Sequence, residues 1–365
     1  MSNSLNRGEI FYLCLEPVRE GHASYTHVIE IIQGLEKLGW KIKLFRPSYS
    51  DSELPSFFTR IKEILKTQWS LVYSKGRPDL LYIRCHPFGF VVALWAKWKR
   101  LKVIQEVNGP YEDLFIAWPW TRNFTSFFKM LYRRQFQWAN HVIVVTEGLK
   151  EFIKKEAKHE RVTVISNGVN TNLFNRNAKT NYALPDQFVV FFGTFSRWHG
   201  IPLLLNSVDM PAWPQKVKLV FIGDGVEKIL VENKAKISDR VIYLGRKPYK
   251  EVGGIVAKAI AGLIPVQNIQ DRALTGLSPL KLFETIACEI PVIVSDQPEQ
   301  TAFVKENKCG WIVKEQTPEA WAKAVKIATD KNMSSSIKIS KKIITSLSWS
   351  EKAKITDKII INCLS

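Results

Sequence analysis

The sequence predicts an α/β chain of two Rossmann-like domains, and three observations carry that prediction. Short β-rich apolar runs alternate with amphipathic stretches, the alternation runs through twice, and a polar, Asn-rich stretch at 167–181 separates the two series. Such alternation argues for parallel sheets covered by helices on both faces. With 365 residues, 46% of them hydrophobic, the chain has material for two packed cores.

In the first series the strand candidates are 10–15, 41–45, 80–84, 103–107, 141–145 and 162–165. A helix is expected over 25–38, where Val28, Ile31, Ile32, Leu35 and Leu38 form one stripe and Gly39 supplies a stop. Another is expected over 146–156, with Thr146 as N-cap. The second series offers strands at 188–192, 217–222, 241–244, 260–265 and 291–295, and a final helix near 350–363 follows it. The expected division is 1–180 and 181–348, with 349–365 crossing back to the first domain.

Lys and Arg number 52 against 34 Asp and Glu, a net charge of +18 that attracts polyanions: nucleic acid, anionic membrane or phosphorylated small molecules. Residues 1–180 carry +11 and 181–365 carry +7, so the charge is no detachable basic tail. No apolar run approaches the ~18 residues of a membrane span, and Met1 to Pro17 lacks the pattern of a secretory leader. Five scattered cysteines without C-x-x-C spacing suggest reduced core thiols. The expected setting is cytoplasmic, with peripheral contact at the inner face of the membrane left open.

In open α/β sheets ligands sit beyond the carboxyl ends of strands, and the informative motifs lie there. In Ser278-Pro279-Leu280-Lys281-Leu282-Phe283-Glu284, Ser278 suits an N-cap and Pro279 the first helical position. The amides of Leu280 and Lys281 then meet an anion at the positive end of the helix, with the Lys281 charge beside them. Glu284 shares an otherwise apolar face with Leu280, Phe283 and Ala287. A buried acid needs a partner, and a pair of hydroxyls such as a ribose diol would serve. Equally, Glu284 can be a solvated acid near its helix start.

The segment Phe192-Gly193-Thr194-Phe195-Ser196-Arg197-Trp198-His199-Gly200 also joins a strand to a helix. Gly193 permits close backbone approach and Arg197 and His199 can reach phosphate oxygens, although an ordinary loop would look similar. Around Gly21 and His22 there is no G-x-G-x-x-G, and no P-loop occurs anywhere. Asn108-Gly109-Pro110 after Gln105-Glu106-Val107 either positions a substrate or merely turns. Gly223-Asp224-Gly225 is a strand-end turn, and no metal-ligand spacing is present. From Phe115 to Trp138, aromatics mix with Arg122, Lys129, Arg133 and Arg134. That mixture fits an anionic lipid surface, nucleic acid, or most simply a helix with its rings in the core.

Taken in order, these pieces resemble glycosyltransferase family 4-like enzymes of GT-B fold over nearly the whole chain. The resemblance runs through Gly21-His22, Val144-Val145-Thr146, Ser166-Asn167-Gly168-Val169-Asn170 with Phe174, and the Gly193–Gly200 loop. It continues through Ile222-Gly223-Asp224-Gly225, Leu244-Gly245, Ser278 to Glu284 and Ile290-Pro291-Val292-Ile293. It implies two Rossmann-like domains facing across a cleft and a retaining transfer from a UDP- or GDP-sugar held by the C-terminal domain. A glycan or lipid-linked glycan is the implied acceptor, in surface polysaccharide biosynthesis, with no metal or other cofactor and no nucleic acid partner.

Residue by residue, the resemblance gives His22, Asn108, Arg197 and Lys281 catalytic roles. It gives donor binding to Gly193, Thr194, His199, Gly223, Arg246, Ser278, Pro279, Leu280 and Glu284. The chain departs from the family pattern at Gly276, where an acid often stands eight residues before Glu284. It departs also at Thr194 and His199, where Arg and Lys are usual, and at Asn108 in place of His. The alternative is a degenerate GT-B partner or a polyanion-binding protein without transferase activity.

Overall fold

The computed structural model describes residues 7–16, 18, 23–48, 55–267 and 276–365. The chain divides into two compact units, Met1–Ser166 with Trp349–Ser365, and Asn167–Ser348.

The first unit is a parallel six-stranded sheet of β1 (Gly8–Cys14), β2 (Trp40–Phe45), β3 (Leu80–Arg84), β4 (Lys102–Val107), β5 (His141–Val144) and β6 (Val162–Val164). Its spatial order is β2-β1-β3-β4-β5-β6. Residues Ile10 to Cys14 are all buried, as strands covered on both faces must be. The helix Ala23–Lys37 ends ahead of Gly39, whose φ of +98° suits a glycine. Thr146 caps the helix Glu147–Ala157 by accepting the Leu149 N–H at 3.1 Å.

The C-terminal helix Trp349–Leu364 packs on Ala23–Lys37. A Cβ at Gly34 would lie 2.5 Å from the Ala353 Cβ, so the small pair sets the approach of the two helices. Asp357 accepts from Arg7 at 2.6 Å and from the Trp40 Nε1 at 2.7 Å.

The second unit is also a parallel sheet of six: β7 (Phe188–Thr194), β8 (Lys218–Asp224), β9 (Val241–Tyr243), β10 (Ala261–Ile264), β11 (Val292–Ser295) and β12 (Gly310–Val313). Its order is β12-β11-β10-β7-β8-β9. The strand period of two sorts its core. Val189 and Phe191 pack with Leu204 and Trp321 on one face, and Phe188, Val190 and Phe192 pack with Ile255 and Ile286 on the other.

Two features differ from the sequence expectation. The second unit begins at Asn167 rather than near 181, because Val169 and Phe174 in the polar stretch are fully buried in its core. The Val169 N–H also donates to the Leu347 carbonyl at 2.8 Å. β12 was not expected: it is a short edge strand that opens on Gly310 and is half-exposed along most of its length, so it lacks the apolar run of a central strand.

Candidate functional site

On the second sheet the polar groups gather at the carboxyl ends of β7 and β8 and at the start of the helix Leu280–Ala287. The register pairs Gly193 with Gly223 and Thr194 with Asp224. At Gly223, φ is +142° and a Cβ would fall 1.9 Å from the Gly193 carbonyl oxygen, so the two backbones touch where only glycine fits. Beyond β7 the chain makes one short turn, Arg197–His199, and enters the helix Ile201–Ser207 through Gly200 at φ +57°.

Lys281 reaches back from its helix to this turn. From an ideal Cβ on Gly193, its Cε is 3.7 Å and its Nζ 3.8 Å away. The Nζ lies 4.1 Å from the centroid of the Phe191 ring and has no hydrogen-bond partner. Burial pushes Lys281 down to about 7, against the pull of Glu284. A buried ammonium without an acceptor is costly, and an anion at the β7 turn would supply one. The first amides of the same helix lack intrahelical partners by geometry and favour the same kind of ligand.

Glu284 is 4% exposed, so the solvated alternative does not hold. Its Oε1 accepts from the Tyr249 hydroxyl at 2.7 Å. Burial pushes the carboxyl up to about 7, while the Tyr249 bond and Lys281 oppose the rise. His199 donates from Nδ1 to the Thr194 carbonyl at 2.6 Å, since a carbonyl can only accept, and this leaves Nε2 for a ligand. Burial and then the Lys281 charge push His199 down to about 3.

Ser278 is not the N-cap. The helix begins at Leu280 behind an extended Pro279, and Ser278 is held by Asn167 instead. The Asn167 N–H donates to the Ser278 Oγ at 3.2 Å, and the Asn167 Nδ2 donates to the Ser278 carbonyl at 2.6 Å. This double clamp takes the hydroxyl a cap would need.

The remaining predicted residues are more dispersed. Arg197 is exposed and near enough to Glu227 to oppose the upward push that burial gives that carboxyl. Arg246 is exposed in the loop after β9. Leu280 and Pro279 are half-buried at the helix start. His22 lies outside the described residues. Asn108 belongs to the first unit, at the end of β4, where its Nδ2 donates to Glu106 at 2.9 Å.

The structure adds partners to several of these residues. Glu106 is buried at the carboxyl end of β4 and accepts from Arg84 at 2.6 Å and the Tyr82 hydroxyl at 2.7 Å, with the His27 Nε2 at 3.0 Å. Burial alone would push Glu106 up, but His27, Arg84 and Tyr82 hold it well below the carboxylate range. Arg84 also donates to Glu16 at 2.9 Å. Gly276, at φ +75°, lies against Glu299: a Cβ there would be 2.4 Å from the Glu299 Cγ, so a side chain at 276 would displace it. No local pattern signals Tyr249 or Glu299, because each contact joins distant segments, whereas Glu106 stands in the polar strand end that the sequence already marks with Asn108. Among the described residues, no group of three or more His, Cys, Asp or Glu could hold a metal ion.

Two family models match the chain: Glycosyltransferase Family 4 over residues 25–173 and Glycosyl transferases group 1 over 186–330. A search of curated proteins finds no match. Among solved structures, a sucrose-phosphate synthase from Thermosynechococcus elongatus is similar at TM-score 0.76 and 16% identity, covering 98% of this chain and 99% of that one. The Anabaena HepE protein in complex with UDP and glucose is similar at TM-score 0.67 and 14% identity, covering 97% and 99%. A glycosyltransferase from Rickettsia africae is similar at TM-score 0.69 and 14% identity, covering 99% of each chain. At these identities the structural likeness speaks for the fold.

Proposed function

We propose that this chain, which belongs to the glycosyltransferase family 4-like proteins of GT-B fold, moves a sugar from a nucleotide-sugar to a glycan or lipid-linked glycan with retention at the anomeric carbon. The reading includes a role in surface polysaccharide biosynthesis and a cytoplasmic setting with peripheral contact at the membrane. The observation that carries it is the pairing of Lys281, buried without a partner beside Gly193, with Glu284 buried one turn further along the same helix.

In this reading the donor diphosphate lies over Gly193, Thr194 and Gly223. It meets the Leu280 and Lys281 amides, the Lys281 ammonium and the His199 Nε2. Pro279 and Ser278 hold the helix start, Arg197 and Arg246 supply outer positive charge, and Glu284 accepts from the two ribose hydroxyls. During transfer the bond from the anomeric carbon to the diphosphate oxygen breaks, and its electron pair leaves with the diphosphate. The acceptor oxygen bonds the carbon on the same face and loses its proton to the departing phosphate. Lys281 and the helix amides stabilise the charge that grows on the leaving group, which preorganised dipoles do at little reorganisation cost. His22 and Asn108 keep the catalytic roles that the family resemblance implies.

A UDP-sugar is the first donor to try, since the similar HepE protein was solved with UDP and glucose. Calorimetry with UDP, GDP, ADP and their sugar conjugates tests the reading. Saturable binding of one nucleotide, lost in Glu284→Ala, is the expected result. Absence of binding by every nucleotide, or full binding by Glu284→Ala, would overturn it. The configuration of the product, followed by NMR, decides retention.

A further inference from the structure

Three neighbouring helices of the first unit, Phe57–Val72, Phe90–Trp98 and Thr125–Trp138, leave large apolar side chains in solvent. Of the twenty-two such side chains exposed among the described residues, thirteen fall between Phe57 and Met130, and ring contacts gather Phe57, Phe58, Trp120 and Phe124 into one cluster around Trp118. On the first helix Phe58, Leu65 and Trp69 recur at helical spacing, and Phe58 is 82% exposed. Ring contacts tie the first helix to the short turn Pro119–Phe124 that leads into Thr125–Trp138: Phe57 lies 6.3 Å from Trp120, which lies 6.4 Å from Phe124. The core-facing expectation for 115–138 therefore holds for Phe115, Phe128 and Phe136 but not for Trp120, Phe124 and Phe127.

Positive charge borders these rings. Between Trp118 and Trp138 there are four basic side chains and no acidic one. Three of the four, Lys129, Arg133 and Arg134, lie with Met130 along one face of the helix Thr125–Trp138. Arg133 sits 3.6 Å from Glu156, and the Lys129 Nζ is 5.1 Å from the Tyr111 ring centroid. On the first helix the Arg60 guanidinium lies 5.3 Å from the Trp118 ring centroid.

We infer that this face docks the chain on an anionic lipid bilayer, its rings entering at headgroup level while Arg60, Lys129, Arg133 and Arg134 meet lipid phosphates. No helix among the described residues is long and apolar enough to cross a membrane, and a face that lies on the surface needs none. A second copy of the chain is a poorer occupant. A two-fold contact would set the face against itself, like charge on like. The inference rests on the lipid-linked acceptor and membrane contact proposed above and gives them a surface.

The test uses the full chain and sedimentation with phosphatidylcholine vesicles, with and without phosphatidylglycerol, at low and high salt. Binding that requires phosphatidylglycerol and weakens with salt is expected. It should fall at least about tenfold in Phe58→Ser/Trp120→Ser and in Arg133→Glu/Arg134→Glu, with nucleotide affinity unchanged in both. No binding at low salt, equal binding to both vesicles, or undiminished binding by both variants would overturn the inference. So would a lipid-free dimer that Phe58→Ser/Trp120→Ser dissolves, or single-stranded nucleic acid displacing the vesicles. Nucleotide binding reads the proposed function separately, so either idea can fail alone.

Discussion

The Tyr249 hydroxyl donates to the Glu284 carboxylate at 2.7 Å across 35 residues of sequence, and the Phe174 ring, 5.2 Å from Tyr249, packs against the donor. The bond favours the charged carboxylate, while burial pushes Glu284 up to about 7. Tyr249→Phe should raise Glu284 further. Nucleotide affinity at neutral pH should fall about tenfold and recover as pH is raised. Calorimetry at several pH values checks this, with Glu284→Gln as the variant whose weak binding does not recover.

Lys281 and His199 are both held toward their neutral forms, Lys281 at about 7 and His199 at about 3. A bound diphosphate favours their charged forms and raises both. Binding at pH 8 should therefore take up protons, chiefly at Lys281. Titrations in buffers of different ionisation enthalpy measure the uptake. Lys281→Met should remove most of it and weaken binding by about a hundredfold.

At Gly223 the Cβ of an alanine would strike the Gly193 carbonyl oxygen, at a φ that L-residues avoid. Gly223→Ala should lower stability by on the order of 3 kcal/mol, read as an earlier midpoint for the second unit in urea. Equal midpoints would show that the β7–β8 edge relaxes freely.

Glu106 is held well below the ordinary carboxylate value. The sign follows from linkage: a depressed folded value contributes stability that is complete above about 4.3 and is lost as pH falls below it. Wild-type stability should therefore drop between pH 5 and 3. Glu106→Gln should be about 2 kcal/mol less stable at pH 7 and show a shallower acid slope. Urea midpoints across that range decide it.

Much of the fold was legible because runs such as Phe188–Phe192 bury every side chain and carry the pattern of a doubly covered strand. Lys281 was legible as a charge at the helix start and Glu284 as an acid on its apolar face, but whether Glu284 is buried or solvated was not, because that depends on what packs over the face. What escaped reading depends on pairs distant in sequence. Ser278 looks like a cap until Asn167 takes its hydroxyl. Trp120 looks like a core ring until Phe57, far back in the chain, is found beside it in solvent. β12 escaped for a different reason, since a half-exposed edge strand opening on Gly310 carries little pattern of its own.

The first unit is assembled from both ends of the chain, and Asp357 joins Arg7 and Trp40 only when the last helix arrives. During synthesis the ribosome must make all 182 residues of Asn167–Ser348 in between, which at typical rates takes about 10 to 40 seconds. For that interval the nascent first unit holds the Gly34 surface of Ala23–Lys37 uncovered, awaiting Ala353. The second unit receives its whole sequence earlier than the first, although the first begins emerging sooner. A stalled or prematurely stopped chain would thus be defective at its beginning, the part made first.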